Sequence, residues 1–521
     1  MVKITGIGLL PIWVPILLPL AGGFVLAADS FIRHVRLPEG SGAPAKSRTE
    51  SRRIHVCTGA VLLLSALAAV LCGLFSQGGE AFRVLSLGER LDIVFAVDGV
   101  STVFVCITTL IWVLVAFYAF AYMEHEGEQR RFFGFYLMLY GVLVALDFSA
   151  NLVTMYLCYE LMTLVSMVLV LHNGSREAIM AALKYLFYSM CGAYLGLFGI
   201  FYLNRFCTDL DFVAGGRLNP AALAGHEGTL LAVVFAMLIG FGAKAGMFPL
   251  HGWLPTAHPV APSPASAVLS GIIAKSGVLA TIRVVYDIVG ADFLKGTWVQ
   301  TAWMSLTLLT VFMGSLLAFR EPVTKKRFAY STVSQVSYIL FGLSLLQEQA
   351  FTGSLLHVAF HAVIKCGLFL CAGVFLVVCK KSRVDELSGI GKKMPVLLWC
   401  YTVFALALVG IPPTSGFVSK WQLAVGALDA GVGFFGWFGP VVLLVSALLT
   451  AGYLLPITMR GFFPGENDRC ETLARREPPL LMLVPVFVLA AIALLAGVFP
   501  DGLIRVCHGL ASVLLSKGGG I

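Results

Sequence analysis

The sequence predicts an all-α, polytopic membrane protein. Of its 521 residues, 59% are apolar and 12% are charged, whereas ordinary soluble domains carry about 25% charged residues. The mean hydropathy is +0.90. Because a helix needs about 20 mostly apolar residues to cross the hydrocarbon core of a bilayer, a chain of this length has room for roughly fourteen spans. An organisation into two or three soluble domains is excluded.

Apolar stretches of spanning length follow one another along the whole chain. They lie near residues 6–28, 55–76, 97–122, 132–149, 152–172, 178–204, 229–248, 260–287, 299–319, 327–346, 353–379, 395–425, 434–456 and 480–499. Proline and glycine interrupt the seventh and the twelfth stretch, so both helices are expected to be broken. We therefore predict about fourteen transmembrane helices, two of which are discontinuous.

The two broken helices indicate an internal repeat. They are five spans apart, and an odd number of spans reverses the orientation in the membrane, which is typical of inverted repeats around a site near the midplane. Four segments are predicted on this basis: 1–131 with three N-terminal spans, 132–287 with spans 4–8, 299–456 with spans 9–13, and 457–521 with the last span and the tail.

The positions of lysine and arginine predict the orientation of the chain. One set of alternating connections holds the basic loop 29–56 and the basic runs 320–327 and 380–393, whereas the other set holds few cations. The positive-inside rule places the basic set in the cytoplasm, so both termini of a protein in the cell membrane are expected outside. Because the formal net charge of +8 reflects these connections, we expect contact with the lipid bilayer and no nucleic-acid partner.

Six ionisable side chains fall inside the apolar stretches instead of the connections. They are Glu160, Lys184, Lys244, Lys275, Lys365 and Lys420. An ammonium group at the centre of a bilayer costs about 2.5–3.5 kcal/mol even on the lenient insertion scale, and such residues are functional by default. Desolvation also allows a lysine to gain and lose a proton. A proton-conducting role is therefore the leading interpretation.

Glu160 and Lys244 are the candidates for a switching ion pair. Tyr156 and Thr163 share the helical face of Glu160 at i−4 and i+3, and Lys244 lies just before the expected break of the seventh span. If the two charges approach to about 4 Å at an effective dielectric constant near 20, they attract by about 4 kcal/mol. The alternative interpretation is a static structural ion pair.

The eleventh span carries a second set of titratable groups. His357, His361 and Lys365 are spaced at i, i+4 and i+8, so they form a stripe about 12 Å long on one helix face. Imidazoles suit a proton relay because a neutral ring can accept at one nitrogen and donate from the other. Lys275 lies in the eighth span and Lys420 in the twelfth, and Lys184, His251 and His258 are accessory candidates.

No metal or redox cofactor is expected. The twelve cysteines and ten histidines include no CxxC pair and no HExxH pattern. Glu160 is the one carboxylate assigned to the membrane interior, which disfavours a membrane enzyme that needs paired acids. Electron transfer, if it drives this protein, is expected in a partner subunit.

Several motifs together resemble a known family, the antiporter-like proton-conducting membrane subunits shared by respiratory complex I, Mrp cation/proton antiporters and energy-converting hydrogenases. The motifs occupy residues 159–162, 244–255, 257–264, 270–277, 329–335, 357–365 and 410–420. The resemblance implies that Glu160 and Lys244 form the switching pair, that Lys275 is the central relay, and that Lys420 leads to the exit. Lys420 and the stretch 258–262 look more like the D-type component of Mrp antiporters or the hydrogenase type than the M-type component of complex I.

The sequence therefore predicts a proton-translocating subunit of a multi-subunit membrane complex, driven by redox chemistry in partner subunits of an NADH:quinone oxidoreductase or hydrogenase type. The first alternative is an Mrp-type Na⁺/H⁺ antiporter subunit. The second alternative is a stand-alone transporter for an organic solute, which would normally show a solute-specific polar cluster instead of titratable lysine, histidine and glutamate.

Overall fold

The structure is a computed structural model that describes residues 12–36, 48–79, 81–86, 88, 91–465 and 476–516. Parts of the predicted first span, the basic loop 29–56 and the tail therefore lie outside the described residues. Helices in the first half are α1 (Trp13–Arg36), α2 (Arg48–Phe75), α3 (Gly99–Glu126), α4 (Gln129–Asp147), α5 (Leu152–Val170), α6 (Arg176–Phe206), α7 (Pro220–Leu223), α8 (Glu227–Ala245), α9 (Leu254–Val260), α10 (Ser263–Val268), α11 (Ala274–Ile282) and α12 (Ala291–Leu294).

The second half of the described chain continues in the same all-helical manner. Its helices are α13 (Trp298–Arg320), α14 (Thr324–Ser344), α15 (Glu348–Cys379), α16 (Ile390–Lys393), α17 (Pro395–Val409), α18 (Ser415–Asp429), α19 (Phe434–Phe462), α20 (Leu480–Val498) and α21 (Asp501–Leu515). Two π-helical segments, Leu269–Ile273 and Arg283–Val289, join α10 to α11 and extend α11. Residues Ser263–Val289 therefore form one continuous span.

The predicted fold class is confirmed, because within the described residues each predicted apolar stretch coincides with a helix, with a pair of short helices or, for 260–287, with the continuous helical span Ser263–Val289. Eleven helices in the described ranges are long and apolar enough to cross a bilayer. The predicted spans outside this group are α4, α14 and the broken pair α17 and α18. The first turn of α14 contains Lys325, Lys326 and Arg327, which lowers its mean hydropathy.

Both predicted helix breaks are present. Helix α8 ends at Ala245 and is capped by Gly246, whose φ of +81° lies in the left-handed region, and the chain resumes as α9 only at Leu254. Helix α17 likewise ends at Val409 and is capped by Gly410, with a φ of +92°, and α18 follows from Ser415. Glycine accepts this backbone conformation without the steric cost that a Cβ atom imposes. The grouping of these spans into two inverted repeats stays a prediction.

Hydrogen bonds join connections that were predicted to share the basic side. Arg130 binds Glu50 at 2.6 Å. The Thr324 amide donates to the Ser382 carbonyl at 2.9 Å, and the Gly389 amide donates to the Arg460 carbonyl at 2.9 Å. The basic connections therefore meet at one end of the helix bundle, as the alternation of charge predicts.

Three local features differ from the sequence-based expectation. Helices α1 and α2 extend into the predicted loop 29–56, since α1 continues to Arg36 and α2 begins at Arg48. A short antiparallel hairpin of β1 (Phe82–Ser86) and β2 (Asp92–Phe95) precedes α3. Helix α21 follows the last predicted span. Hydropathy is insensitive to such features, because they are short or only partly apolar.

Candidate functional site

Lys244 lies in the last turn of α8, and its ammonium group is buried among hydroxyl groups of two other helices. Its Nζ donates to Thr163 Oγ1 of α5 at 2.8 Å, and to Tyr185 OH and Ser189 Oγ of α6 at 2.8 and 3.0 Å. The Tyr185 ring also faces the ammonium, with its centroid 4.4 Å away. Only 1% of Lys244 is exposed, so these neutral oxygen atoms replace its hydration.

Glu160 is close to Lys244 but not in contact with it. Thr163, one turn further along α5, holds the lysine, and the two charges interact electrostatically. The described residues contain no ion pair between Glu160 and Lys244, and Glu160 Oε1 is buried without a hydrogen-bond partner. The expected approach to about 4 Å is therefore not seen, and the structure shows the two groups apart.

Two glycines set the distance between the helices that hold Lys244. A Cβ atom at Gly192 of α6 would overlap the Gly240 carbonyl oxygen of α8, and a Cβ atom at Gly240 would overlap the Gly192 oxygen. The backbones of α6 and α8 therefore touch, which is the usual role of small residues at helix contacts in membranes. This contact brings Tyr185 and Ser189 within reach of Lys244.

We expect Gly240→Val to separate α6 from α8 and to lower the free energy of unfolding by about 1–3 kcal/mol, the usual cost of overpacking. Thermal unfolding of the detergent-purified chain measures this loss. Gly228→Val is the matched control, because Gly228 lies in the first turn of the same helix with open space around its Cα. Equal melting temperatures for the two variants would contradict the assigned contact.

Lys275 occupies the first turn of α11, directly after the π-helical segment Leu269–Ile273. Its Nζ donates to the Ser270 carbonyl oxygen at 2.5 Å. A π-helical turn shifts the backbone hydrogen bonds by one residue and frequently marks a functional site. Gly277 packs against the Phe241 carbonyl of α8, so the helices that carry Lys275 and Lys244 are in direct contact.

The predicted stripe of His357, His361 and Lys365 lies on α15, and all three side chains are buried. The two histidine rings stack with centroids 5.7 Å apart, and Lys365 Nζ donates to the Phe328 carbonyl at 3.0 Å. In the described part of the chain, neither ring nitrogen of His361 has a hydrogen-bond partner. Lys275, Lys365 and Lys420 all act electrostatically on this ring.

The ammonium group of Lys420 binds backbone carbonyls that the break of the twelfth span leaves free. Its Nζ donates to the Leu408 and Val409 carbonyls at 2.5 and 3.1 Å. These carbonyls belong to the last turn of α17, which has no intrahelical donors for them and carries the negative end of the helix dipole. Ser419, adjacent to Lys420 on α18, contacts His357 Nδ1 at 2.9 Å. The exit lysine and the histidine stripe are thus neighbours.

Two of the three accessory candidates, Lys184 and His251, lie near the first break. Lys184 is only half-buried, and a Cβ atom at Gly252 would lie 3.9 Å from its Cε. His251 lies in the break itself, and its ring is 6.0 Å from that of Phe248. His258 on α9 is fully buried and stacks on Phe369 at 4.6 Å, within electrostatic range of Lys275, Lys325 and Lys365. His258 therefore adjoins the central lysines, whereas Lys184 and His251 lie at the periphery.

Sequence reasoning missed several buried charged residues. Asp147 and Asp287 are 3% and 2% exposed, so carboxylates other than Glu160 are buried inside the folded chain. Arg283, which sequence reasoning did not single out, is 1% exposed. Lys325 of the basic run 320–327 is buried too, and its Nζ donates to the Ala261 carbonyl at 2.9 Å. All of them lie near span ends, where hydropathy does not separate a buried residue from a solvated one.

The fold and this string of buried lysines define a class of protein, the antiporter-like membrane subunit. The profile of the family described as "NADH:quinone oxidoreductase/Mrp antiporter, TM" matches residues 149–450. A second profile, "NADH-Ubiquinone oxidoreductase (complex I), chain 5 N-terminus", matches residues 85–133. Because the first match covers more than half of the chain, the protein belongs to this family.

Individual relatives agree with that assignment. The chain is 34% identical to the N subunit of the NADH-quinone oxidoreductase of Desulforudis audaxviator, over 75% of this chain and 80% of the relative. It is 29% identical to the D subunit of the Na(+)/H(+) antiporter of Alkalihalophilus pseudofirmus, over 84% of this chain and 86% of the relative. A chain of the Mrp complex from Dietzia sp. DQ12-45-1b has the same fold, with a TM-score of 0.80, 22% identity and 97% of each chain covered.

Proposed function

We propose that this chain moves protons across the bilayer as a subunit of a multi-subunit membrane complex. The route consists of Glu160 and Lys244 as the switching pair, Lys275 with the His357, His361 and Lys365 stripe as the central relay, and Lys420 as the exit. Partner subunits of a respiratory or hydrogenase-type complex supply the driving reaction. Its relatives in membrane complexes support this reading.

The observation that carries the proposal is the identity of the lysine partners. Within the described residues, the ammonium groups of Lys244, Lys275, Lys365 and Lys420 bind hydroxyl and carbonyl oxygens and no carboxylate. A lysine that is fixed by a buried carboxylate resists neutralisation, because losing its proton leaves the partner charge unpaired. A lysine among neutral dipoles can release its proton without that penalty. The four lysines are therefore suited to carry protons.

The energy scale of transport is compatible with this arrangement. One elementary charge that crosses a potential of 100 mV exchanges about 2.3 kcal/mol. An ion pair that forms at about 4 Å contributes about 4 kcal/mol at an effective dielectric constant near 20. Closing or opening the Glu160–Lys244 pair is therefore sufficient to bias the movement of one proton. We infer that the open arrangement is one of two states of the switch.

The positive-inside rule supports an orientation with the basic end of the bundle in the cytoplasm and both termini outside. In this orientation the two breaks belong to the inverted repeats 132–287 and 299–456, which we propose as the two halves of the proton path. The segments 1–131 and 457–521 flank them. Lys184, His251 and His258 are accessory groups of the first half.

An Mrp-type antiport activity is the second candidate. The similarity to a component of an Na(+)/H(+) antiporter over 84% of the chain favours it. In that case the same proton path is coupled to sodium export instead of to electron transfer. The two candidates share every residue assigned above and differ in the partner subunits.

We expect the complex that contains this chain to acidify or alkalinise the lumen of proteoliposomes, read with a trapped pH-sensitive dye. Energising the vesicles with NADH or hydrogen tests the redox-driven reading, and an imposed sodium gradient tests the antiport reading. A protonophore should abolish the signal. An assembled complex that shifts no pH under any of these drives would refute proton transport, and activity of the isolated chain toward an organic solute would favour a stand-alone carrier.

A further inference from the structure

A buried carboxylate that the route above does not use lies beside the central lysine. Asp147 is the last residue of α4 and is 3% exposed. One small cavity is lined by both Asp147 and Lys275, together with Thr108 of α3 and Ser276 of α11. It has room for about one water molecule. Most of its lining is apolar, and these four side chains supply the polar partners that a buried water needs.

The surroundings of Asp147 hold its carboxylate in place without neutralising it by an ion pair. Thr108 Oγ1 donates to Asp147 Oδ2 at 3.0 Å, and the ion pairs of the described residues do not include Asp147. The titratable or charged groups that act on it are Arg283 from the π-helical end of the eighth span, Cys106 of α3 and Tyr140 of α4. Lys275 lines the same cavity, and its Nζ is bound to the Ser270 carbonyl.

The position of Asp147 connects this cavity to the end of the bundle opposite the basic connections. Helix α4 ends at Asp147, and the chain turns back within residues 148–151 to start α5. At this turn Ser149 bridges Phe95 at the end of β2, and the Ala96 amide donates to the Phe148 carbonyl at 2.9 Å. The carboxylate therefore lies between the central lysine and the outer face.

We propose that Asp147 is a further proton-carrying residue, which exchanges a proton with Lys275 across this cavity and gives the first half of the path its own outlet to the outer face. In the exchange the Lys275 ammonium donates a proton to a water molecule, which passes one to the Asp147 carboxylate. The products are a neutral amine and a neutral carboxylic acid, so charge and protons balance. The inference extends the proposed function, in which Lys420 provides the outlet.

A flux experiment separates the two outlets. Proteoliposomes that contain the assembled complex receive an imposed pH difference, and a trapped dye reports proton movement. We expect the Lys420→Met complex to keep a measurable proton flux, which passes through Asp147. We expect the proton flux of the double variant Lys420→Met/Asp147→Asn to be at least tenfold lower than that of Lys420→Met. The matched control is Lys420→Met/Glu126→Gln. Glu126 is an exposed carboxylate at the C-terminal end of α3, far along that helix from Thr108, which binds Asp147. A Lys420→Met complex without flux, or equal fluxes in the two double variants, would overturn the proposal.

Infrared difference spectroscopy of the full chain in lipid tests the exchange without any transport assay. We expect a protonated-carboxyl band that disappears in Asp147→Asn, shifts in Thr108→Val and changes intensity in Lys275→Met. The Thr108→Val variant identifies the band even if Asp147→Asn fails to fold. If the intensity of the Asp147 carboxyl band is unchanged in Lys275→Met, the exchange is refuted. Because this result does not depend on pumping, it distinguishes a wrong assignment of Asp147 from a wrong function.

Discussion

Lys244→Ala and Glu160→Gln are each expected to lower proton transport by at least tenfold, while the complex still assembles. Lys244→Ala removes the ammonium that three hydroxyl groups hold at 2.8–3.0 Å. Glu160→Gln keeps the shape of the side chain and removes only its charge. Without that charge, the attraction of about 4 kcal/mol that the closed pair would gain is absent. Initial rates of pH change in energised proteoliposomes measure the effect.

Exposed residues of the same charge provide controls for these variants. Lys295→Ala and Glu177→Gln remove one charge each from exposed positions, and we expect near-normal rates from both. Size-exclusion chromatography of the complex shows whether each variant assembles. Near-normal transport by both Lys244→Ala and Glu160→Gln in assembled complexes would contradict the assigned switch.

The difference between the expected and the observed surroundings of Lys244 shows what a linear sequence can predict. Glycine and proline in 246–255 predict the break of the seventh span, and the charge of Lys244 marks it as a functional candidate. Thr163 was placed on the face of Glu160 by helical spacing alone. Tyr185 and Ser189 reach the lysine only because Gly192 and Gly240 let α6 and α8 touch. That contact is tertiary, and no pattern within one helix reveals it.

The same reasoning explains why Asp147 and Arg283 were missed. Hydropathy identifies the apolar middle of a span, but a polar residue at its end is equally compatible with a solvated connection. The burial of Asp147 depends on α3 and on the eighth span. By contrast, the stripe of His357, His361 and Lys365 was predictable, because its members share one continuous helix, α15. Spacing within an element can be read from sequence, whereas burial between elements cannot.

Arg283→Met is expected to lower the free energy of unfolding by about 3–5 kcal/mol, the usual cost of breaking a buried ion pair. Arg283 binds Asp98 through both terminal nitrogens at 2.6 and 2.9 Å, and it binds Asp287 at 2.9 Å. Asp98 also caps α3 by accepting from the Ser101 amide at 2.7 Å. The arginine therefore ties the start of α3 to the end of the eighth span, and its removal leaves the Asp287 carboxylate buried without a cation.

The size of this loss in unfolding free energy distinguishes a buried ion pair from an exposed one. Arg83→Met is the matched control, because the Arg83–Asp92 pair at 3.1 Å has an arginine side chain that is 66% exposed, and exposed pairs contribute about 0–1 kcal/mol. We expect the double variant Arg283→Met/Asp287→Asn to recover much of the loss, since it no longer buries an unpaired charge. Denaturation of the detergent-purified chain measures all three variants. If Arg283→Met is no less stable than Arg83→Met, the buried cluster does not stabilise the contact between α3 and the eighth span.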